Sequence, residues 1–222
     1  MKNNLTEIAY ILDRSGSMNL IAEAAISGFN SFLKEQKSAP GHANLTLVLF
    51  DNEYLSPHQA VPLPEVPELN ANTYVPRGST ALLDAVGTTI RNIGARLSNI
   101  PESDRPGHVI IAIFTDGLEN CSSEFSLAEI NKMITHQRNT YAWEFIFLAA
   151  NQDAIATAAQ MGIGADSSAT IDYSRSGTTS ASGALSKSVL KSREQILFEG
   201  KVTEANKPTL AEEYRKAQES EL

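Results

Sequence analysis

Apolar positions along this chain follow two periods, one of strands and one of helices. Ile8-Ala9-Tyr10-Ile11-Leu12 is an unbroken apolar run, which predicts a central parallel strand buried on both faces. Beyond a Ser-Gly-Ser turn, Ile21, Ala25, Phe29 and Phe32 recur at helical spacing to about Lys37, and Pro40-Gly41 ends that helix. Leu45 to Phe50 predicts the next strand, closing at the turn signal Asp51-Asn52. Pro57, Pro62, Pro64, Pro67 and Pro76 confine residues 53–76 to an edge strand plus loop, because proline cannot donate to a ladder. Leu82, Val86, Ile90, Ile93 and Leu97 then mark a helix, and Pro101–Gly107 a polar loop. It leads into Val109-Ile110-Ile111-Ala112-Ile113-Phe114, the second clear buried strand.

Leu127, Ile130 and Ile134 give a helix face, and Trp143 to Ala150 another strand. Ile155, Ala158 and Ala159 predict a short helix ending near Gly162, and Ala169-Thr170-Ile171 a weak last strand. The Ser/Thr/Gly-rich stretch 174–184 reads as a mobile loop ahead of a helix at 185–198. Strands alternating with helices predict an α/β domain over residues 1–199, with a doubly wound, mostly parallel sheet. A charged tail, 200–222, follows and is broken by Pro208. In it Leu210, Tyr214 and Ala217 share a narrow helical face. It is either a solvated terminal segment, the commoner case, or an amphipathic helix that docks.

Composition narrows the function classes. Acidic residues outnumber basic ones 26 to 18, a formal net charge of −8, with no Lys/Arg cluster to suit a nucleic-acid backbone. No window reaches the length of a transmembrane span, so no membrane partner is expected. The N-terminal residues lack the apolar core of a secretory signal. The single Cys121 cannot form an internal disulfide, which agrees with a reducing compartment, and a cytoplasmic location is the expectation.

Three segments carry the chemistry. They are Asp13-Arg14-Ser15-Gly16-Ser17, Thr80 in Arg77-Gly78-Ser79-Thr80-Ala81, and Asp116 in Phe114-Thr115-Asp116-Gly117. Asp13, Asp51, Asp116 and Asn151 all fall just past predicted strand ends, the rim where open α/β sheets bind ligands. Two carboxylates and three hydroxyls, with no converging His or Cys, suit a hard cation such as Mg²⁺, with Mn²⁺ as the other choice. Hydroxyl ligands add no negative charge, which leaves the ion electrophilic enough to take an acidic group from a partner.

Asp-x-Ser-x-Ser, a distant Thr in a Gly-Ser-Thr turn and a later Thr-Asp-Gly resemble the metal-ion-dependent adhesion site (MIDAS) of von Willebrand factor type A (vWA) domains, in order and spacing over residues 5–175. The resemblance implies a Rossmann-like type A fold, with one antiparallel edge strand and helices on both faces of the sheet. It implies that Ser15, Ser17 and Thr80 bind the metal directly. Asp13 and Asp116 would usually act through metal-bound waters, Asp116 sometimes entering the first shell. Gly16 fits where backbone must come close to the ion.

Blander readings stand beside these. Ser17 could simply cap a helix and Asp13 end a strand. Asp84 could orient the Thr80 loop or be a first-turn acid favoured by the helix dipole. Asp51 reads as a turn residue. Glu119-Asn120 could contact a partner but reads better as a solvated loop, and Cys121 lacks an activating cation. His42, His58, His108 and His136 show no zinc spacing, and Trp143 reads as packing. There is no nucleophile elbow and no phosphate-cradling loop.

The favoured function is an intracellular, Mg²⁺-dependent protein-interaction module that takes an acidic side chain from a protein partner. The resemblance suggests an adaptor for an ATPase or stress-response assembly. A metal-assisted hydrolase acting on phosphoester or acyl substrates is the competing class, disfavoured because no general base stands apart from the metal-holding aspartates. A structural subunit with a vestigial site is the third. The tail is not expected to reach the metal rim.

Overall fold

The computed structural model describes residues 1–117, 119–150, 153–202 and 209–220. Among these residues six strands form one sheet: β1 (Lys2–Asp13), β2 (His42–Phe50), β3 (Tyr54–Pro62), β4 (Pro106–Thr115), β5 (Glu144–Ala149) and β6 (Ser168–Thr170). Their spatial order is β3-β2-β1-β4-β5-β6, every neighbouring pair parallel except β2 with β3. This is a doubly wound, mostly parallel α/β sheet with one antiparallel edge. The prolines act as expected: Pro57 and Pro62 sit in edge strand β3, which has an unpaired side.

Among the described residues six α-helices cover the sheet: α1 (Ala22–Ser38), α2 (Leu82–Ser98), α3 (Leu127–Tyr141), α4 (Ala154–Gln160), α5 (Arg175–Glu199) and α6 (Leu210–Glu219). Side chains alternate across a strand, so β1 feeds two cores at once. Ile8, Tyr10 and Leu12 pack with residues of α1, α5 and α6, while Ala9 and Ile11 pack with those of α2, α3 and α4. The unbroken apolar run follows from burial on both faces.

Register sets the rim. Asp13 lies level with Phe50 of β2, Leu12 with Phe114 of β4, and Thr115 with Ala149 of β5. The first residues beyond β2 and β4, Asp51 and Asp116, therefore emerge beside Asp13 although the sequence separates them widely. Asn151, the fourth residue expected on this rim, lies outside the described residues.

One element departs from expectation. Residues 174–184 are not a loop; α5 starts at Arg175 and runs unbroken to Glu199. Ser174 caps it, its side chain accepting from Gly177 N at 3.0 Å. Thr179, Ser182 and Ser192 return their hydroxyls to carbonyls one turn back. The small residues serve close packing. A Cβ added at Gly28 of α1 would lie 2.1 Å from Ser182 Oγ, so large side chains have no room in this seam. Arg193 is buried there and donates to the Gln36 carbonyl at 2.8 Å and its side-chain oxygen at 2.9 Å, near the end of α1.

The tail also folds. Thr209 and Glu212 form a capping box, and Leu210, Tyr214 and Ala217 are buried as a single helical face. The helix packs on α5 and β6, so the docked alternative holds for residues 209–220. Glu204, Lys207, Pro208 and Glu221, also read as part of the tail, lie outside the described residues.

Candidate metal centre

Asp13 ends β1 and is fully buried. Its Oδ1 accepts from Ser15 N at 2.6 Å, its Oδ2 from the Thr115 hydroxyl at 2.5 Å, and its carbonyl from Tyr74 OH at 2.5 Å. The chain then turns through a short 3₁₀ segment, Gly16–Ile21, ahead of α1. The Ser15 and Ser17 hydroxyls lie 3.1 Å apart, and Ser17 Oγ donates to Asp116 Oδ1 at 2.8 Å. Ser17 makes no capping bond, so its side chain belongs to this cluster and not to the helix start.

Thr80 joins from the far side. A Cβ added at Gly117 would sit 3.0 Å from Thr80 Oγ1 and 3.8 Å from Asp13 Oδ2, which places both atoms over the same glycine. Thr80 is itself held from the loop after β4: its N–H donates to Asn120 Oδ1 at 3.0 Å, and its carbonyl accepts from Asn120 N at 3.1 Å. Asp13, Ser15, Ser17, Thr80 and Asp116 are thus gathered at one place on the rim.

A framework of loops holds them. Arg14 turns its side chain away from the cluster toward the buried Asp51 (Nε to Oδ2 3.2 Å), which also pairs with Arg77 at 2.9 Å. Backbone bonds run alongside: Arg77 N to the Arg14 carbonyl at 2.7 Å, Gly16 N to Gly78 O at 3.1 Å, and Ala81 N to Asp51 O at 2.9 Å. Asp51 is therefore more than a turn residue; it ties the Asp13 loop to the Thr80 loop. Gly16 admits close approach by the Gly78 carbonyl, and Gly78 needs its left-handed φ of 68°.

Glu119 and Asp84 serve the same framework. Glu119 accepts from the N–H groups of Leu83, Cys121 and Ser122, and Asn120 grips Thr80, so neither is a free solvated residue. Asp84 accepts from Ser123, Glu124 and Phe125 N–H groups, orienting the 122–125 loop directly. Burial and the charges of Glu119 and Asp84 push the Cys121 thiol up, consistent with an unreactive residue. Trp143 is buried, and His108 faces Glu144 at 3.2 Å, away from the rim.

Burial pushes Asp13 up to about 6, opposed by its bonds to Thr115 and Ser15 and reinforced by the charge of Asp116. Burial likewise raises Asp116, opposed by its contacts with the Ser17 and Tyr173 hydroxyls; its Oδ2 is shielded from solvent. Among the described residues no ion pair involves either carboxylate, and no three of His, Cys, Asp and Glu converge. Two buried carboxylates beside hydroxyls form a donor set that fits a hard cation.

Tyr173, between β6 and α5, was not foreseen from the sequence. Its phenol donates to the Ser17 carbonyl and lies against Asp116; burial, then the Asp116 charge, raises its pKa. Thr115 stood inside a recognised motif, so its bond to Asp13 could have been sought. Nothing in the sequence signals Tyr173.

The fold is that of a vWA domain. No family model and no curated protein matches the chain, whereas solved structures do. Proximal thread matrix protein 1 of the mussel byssus, solved with a zinc-occupied MIDAS motif, is similar at 13% identity and TM-score 0.56, over 83% of this chain and 46% of that one. A manganese-loaded Plasmodium vivax TRAP protein is similar at 12% identity and TM-score 0.51, over 77% of this chain and 70% of that one. A von Willebrand factor type A protein from Catenulispora acidiphila follows at 13% and 0.52, over 86% and 42%. The chain spans about half the length of the byssus protein it matches.

Proposed function

We propose that this chain is a metal-dependent protein-interaction module whose rim cluster holds one divalent cation, Mg²⁺ or Mn²⁺. The observation that carries the reading is the pair of buried carboxylates, Asp13 and Asp116, with no cation paired to either among the described residues, beside the Ser15–Ser17 hydroxyl pair. In this reading Ser15, Ser17 and Thr80 offer neutral oxygens, and Asp13 and Asp116 supply the charge that offsets the ion. When bound, the cation would present an electrophilic position to an acidic side chain of a protein partner. The zinc and manganese reported for the byssus and TRAP proteins support a divalent ion on this fold.

The chain's own residues prepare that contact. Asp13 is locked by Ser15 N and Thr115, Thr80 by Asn120, and the two loops by Asp51, so the oxygens are preorganised. We place the module in the cytoplasm on the single cysteine. No helix among the described residues is long and apolar enough to cross a membrane. We read the site as docking and not as hydrolysis, because the Arg14 and Arg77 guanidinium groups are committed to Asp51 and Glu53 instead of facing the cluster.

The test is affinity capture from native cells with and without chelator, alongside Mn²⁺ titration of the pure protein. One bound ion and a partner lost on chelation are expected. Absence of metal binding, or a metal-dependent turnover on phosphoesters or esters, overturns the reading.

A further inference from the structure

Tyr173 has no part in either core, yet its position is fixed from several directions. About 42% of its surface is exposed, so apolar burial alone does not hold it. Its hydroxyl reaches across to the backbone carbonyl of Ser17, a residue 156 positions earlier. Ser17 Oγ in turn donates to Asp116. The phenol therefore stands over the Ser17–Asp116 side of the cluster and lies against the Asp116 carboxylate, whose Oδ2 is shielded from solvent.

The segment carrying Tyr173 is clamped on two sides. On one side it is wound against α5: Ser174 N donates to the Asp172 carbonyl at 2.8 Å, and a Cβ added at Gly177 would lie 2.3 Å from that oxygen. On the other side α6 grips it. Asp172 N donates to Tyr214 OH at 2.9 Å, and Gln218 Nε2 donates to Asp172 Oδ2 at 2.8 Å and to Tyr214 OH at 3.1 Å. Tyr214 is buried in the face that docks α6. A continuous set of bonds thus runs from α6 through Asp172 and Tyr173 to Ser17.

We propose that Tyr173 is a resident cover of the metal centre, and that α6 holds this cover closed through Asp172. The proposal rests on the metal-docking reading above and adds how access is controlled. An acidic side chain approaching the ion from the Ser17–Asp116 side must displace the phenol and break its bond to Ser17. That displacement is opposed while Tyr214 and Gln218 hold Asp172.

The experiment uses the full chain and Mn²⁺ alone, reading ion affinity by titration and solvent access by water-proton relaxation of the bound ion. Tyr173→Ala should raise relaxation per bound Mn²⁺ on the order of twofold, as more water reaches the ion, with affinity changed little. Tyr214→Phe combined with Gln218→Ala keeps the buried ring and removes the grip on Asp172, and should raise relaxation in the same direction. If the parent binds no Mn²⁺, the metal reading itself fails. If it binds but Tyr173→Ala leaves relaxation at the parent value, Tyr173 is no cover. If only the α6 variant is silent, α6 does not hold it.

Discussion

Strand β1 buries two carboxylates, and their surroundings differ in one respect. Glu7 and Asp13 are both almost wholly removed from solvent. Glu7 has a cation of the chain's own: Arg96 reaches it at 2.7 Å, and Thr46 adds a bond at 3.1 Å. Among the described residues Asp13 accepts from neutral donors, Ser15 and the Thr115 hydroxyl. Arg14, its neighbour in sequence, turns its charge to Asp51 instead. Burial raises the pKa of both groups, Glu7 to about 7 even with Arg96 opposing, and Asp13 to about 6. A carboxylate paired within the chain reads as structure. One buried among hydroxyls without a cation reads as a place for a cation from outside.

The largest expected effect tests the Asp13 end. Mn²⁺ or Mg²⁺ at a hundredfold excess over its dissociation constant should stabilise the fold by about 2.7 kcal/mol, a rise of roughly 5–10 °C in Tm. Asp13→Ala with Thr80→Ala should abolish the rise while the apo protein still melts cooperatively. A double variant that keeps the parent's metal-induced rise in a thermal melt would remove the distinction between the two carboxylates.

The Glu7 end makes a prediction of opposite character, in pH and not in metal. Its folded pKa is raised, so the folded chain keeps a proton that the unfolded chain has already lost. Stability from this group is therefore full below about pH 4.5 and is lost as pH rises toward 7. The loss is roughly 3 kcal/mol, since a tenfold change in proton affinity is about 1.4 kcal/mol. Glu7→Gln keeps an acceptor for Arg96 and Thr46 but cannot ionise. Urea unfolding of the parent at pH 4.5 and 7.5 should show this drop on top of the one that the raised Asp13 gives in the same window, and the variant should keep only the Asp13 part. An equal slope in both would mean that Glu7 is ionised throughout, fully compensated by Arg96.

How much of this was legible in advance follows from the physics of each element. The five buried parallel strands announced themselves by apolar content, although β6 did so only faintly; the edge strand did so by its prolines. The gathering on one rim was legible in part: Asp13, Ser15, Ser17 and Asp116 end or closely follow β1 and β4, and parallel topology brings strand ends together, whereas Thr80 comes from a loop well beyond edge strand β3. The reach of α5 to Arg175 was hidden, because serine, threonine and glycine carry no apolar period and favour turns in isolation. They form helix here because α1 approaches closely at Gly28 and accepts only small side chains. Glu7 was missed for a related reason: a lone acid beside an apolar run marks the edge of a strand, and only the fold brings Arg96 to it.

A smaller effect probes how tightly the rim is built. Gly117 leaves only 3.0 Å between an added Cβ and Thr80 Oγ1. Gly117→Ala should push Thr80 outward and weaken metal binding roughly tenfold, the usual scale for disturbing a residue that orients a ligand. Stability without metal should fall little, since Thr80 keeps both bonds to Asn120. Calorimetric titration with Mn²⁺ measures the first and a metal-free melt the second. Unchanged affinity would place Thr80 outside the ligand set.

The smallest effect asks whether stability and metal binding separate, as two differently built sites on one strand require. Thr209 caps α6 by accepting from Glu212 N at 3.2 Å, and Glu212 returns a bond to Thr209 N at 3.0 Å. Thr209→Ala removes the hydroxyl and should cost about 1 kcal/mol. Every proposed ligand lies before residue 117, and α6 touches none of them directly. Even its bonds to Asp172 come from Tyr214 and Gln218, which stand beyond the capped first turn. Mn²⁺ affinity in calorimetry should therefore match the parent's while the metal-free Tm falls by about 2–4 °C. A parallel loss of affinity would show that the rim senses the fold's overall stability, and would weaken the case that Asp13 is held by its local framework alone.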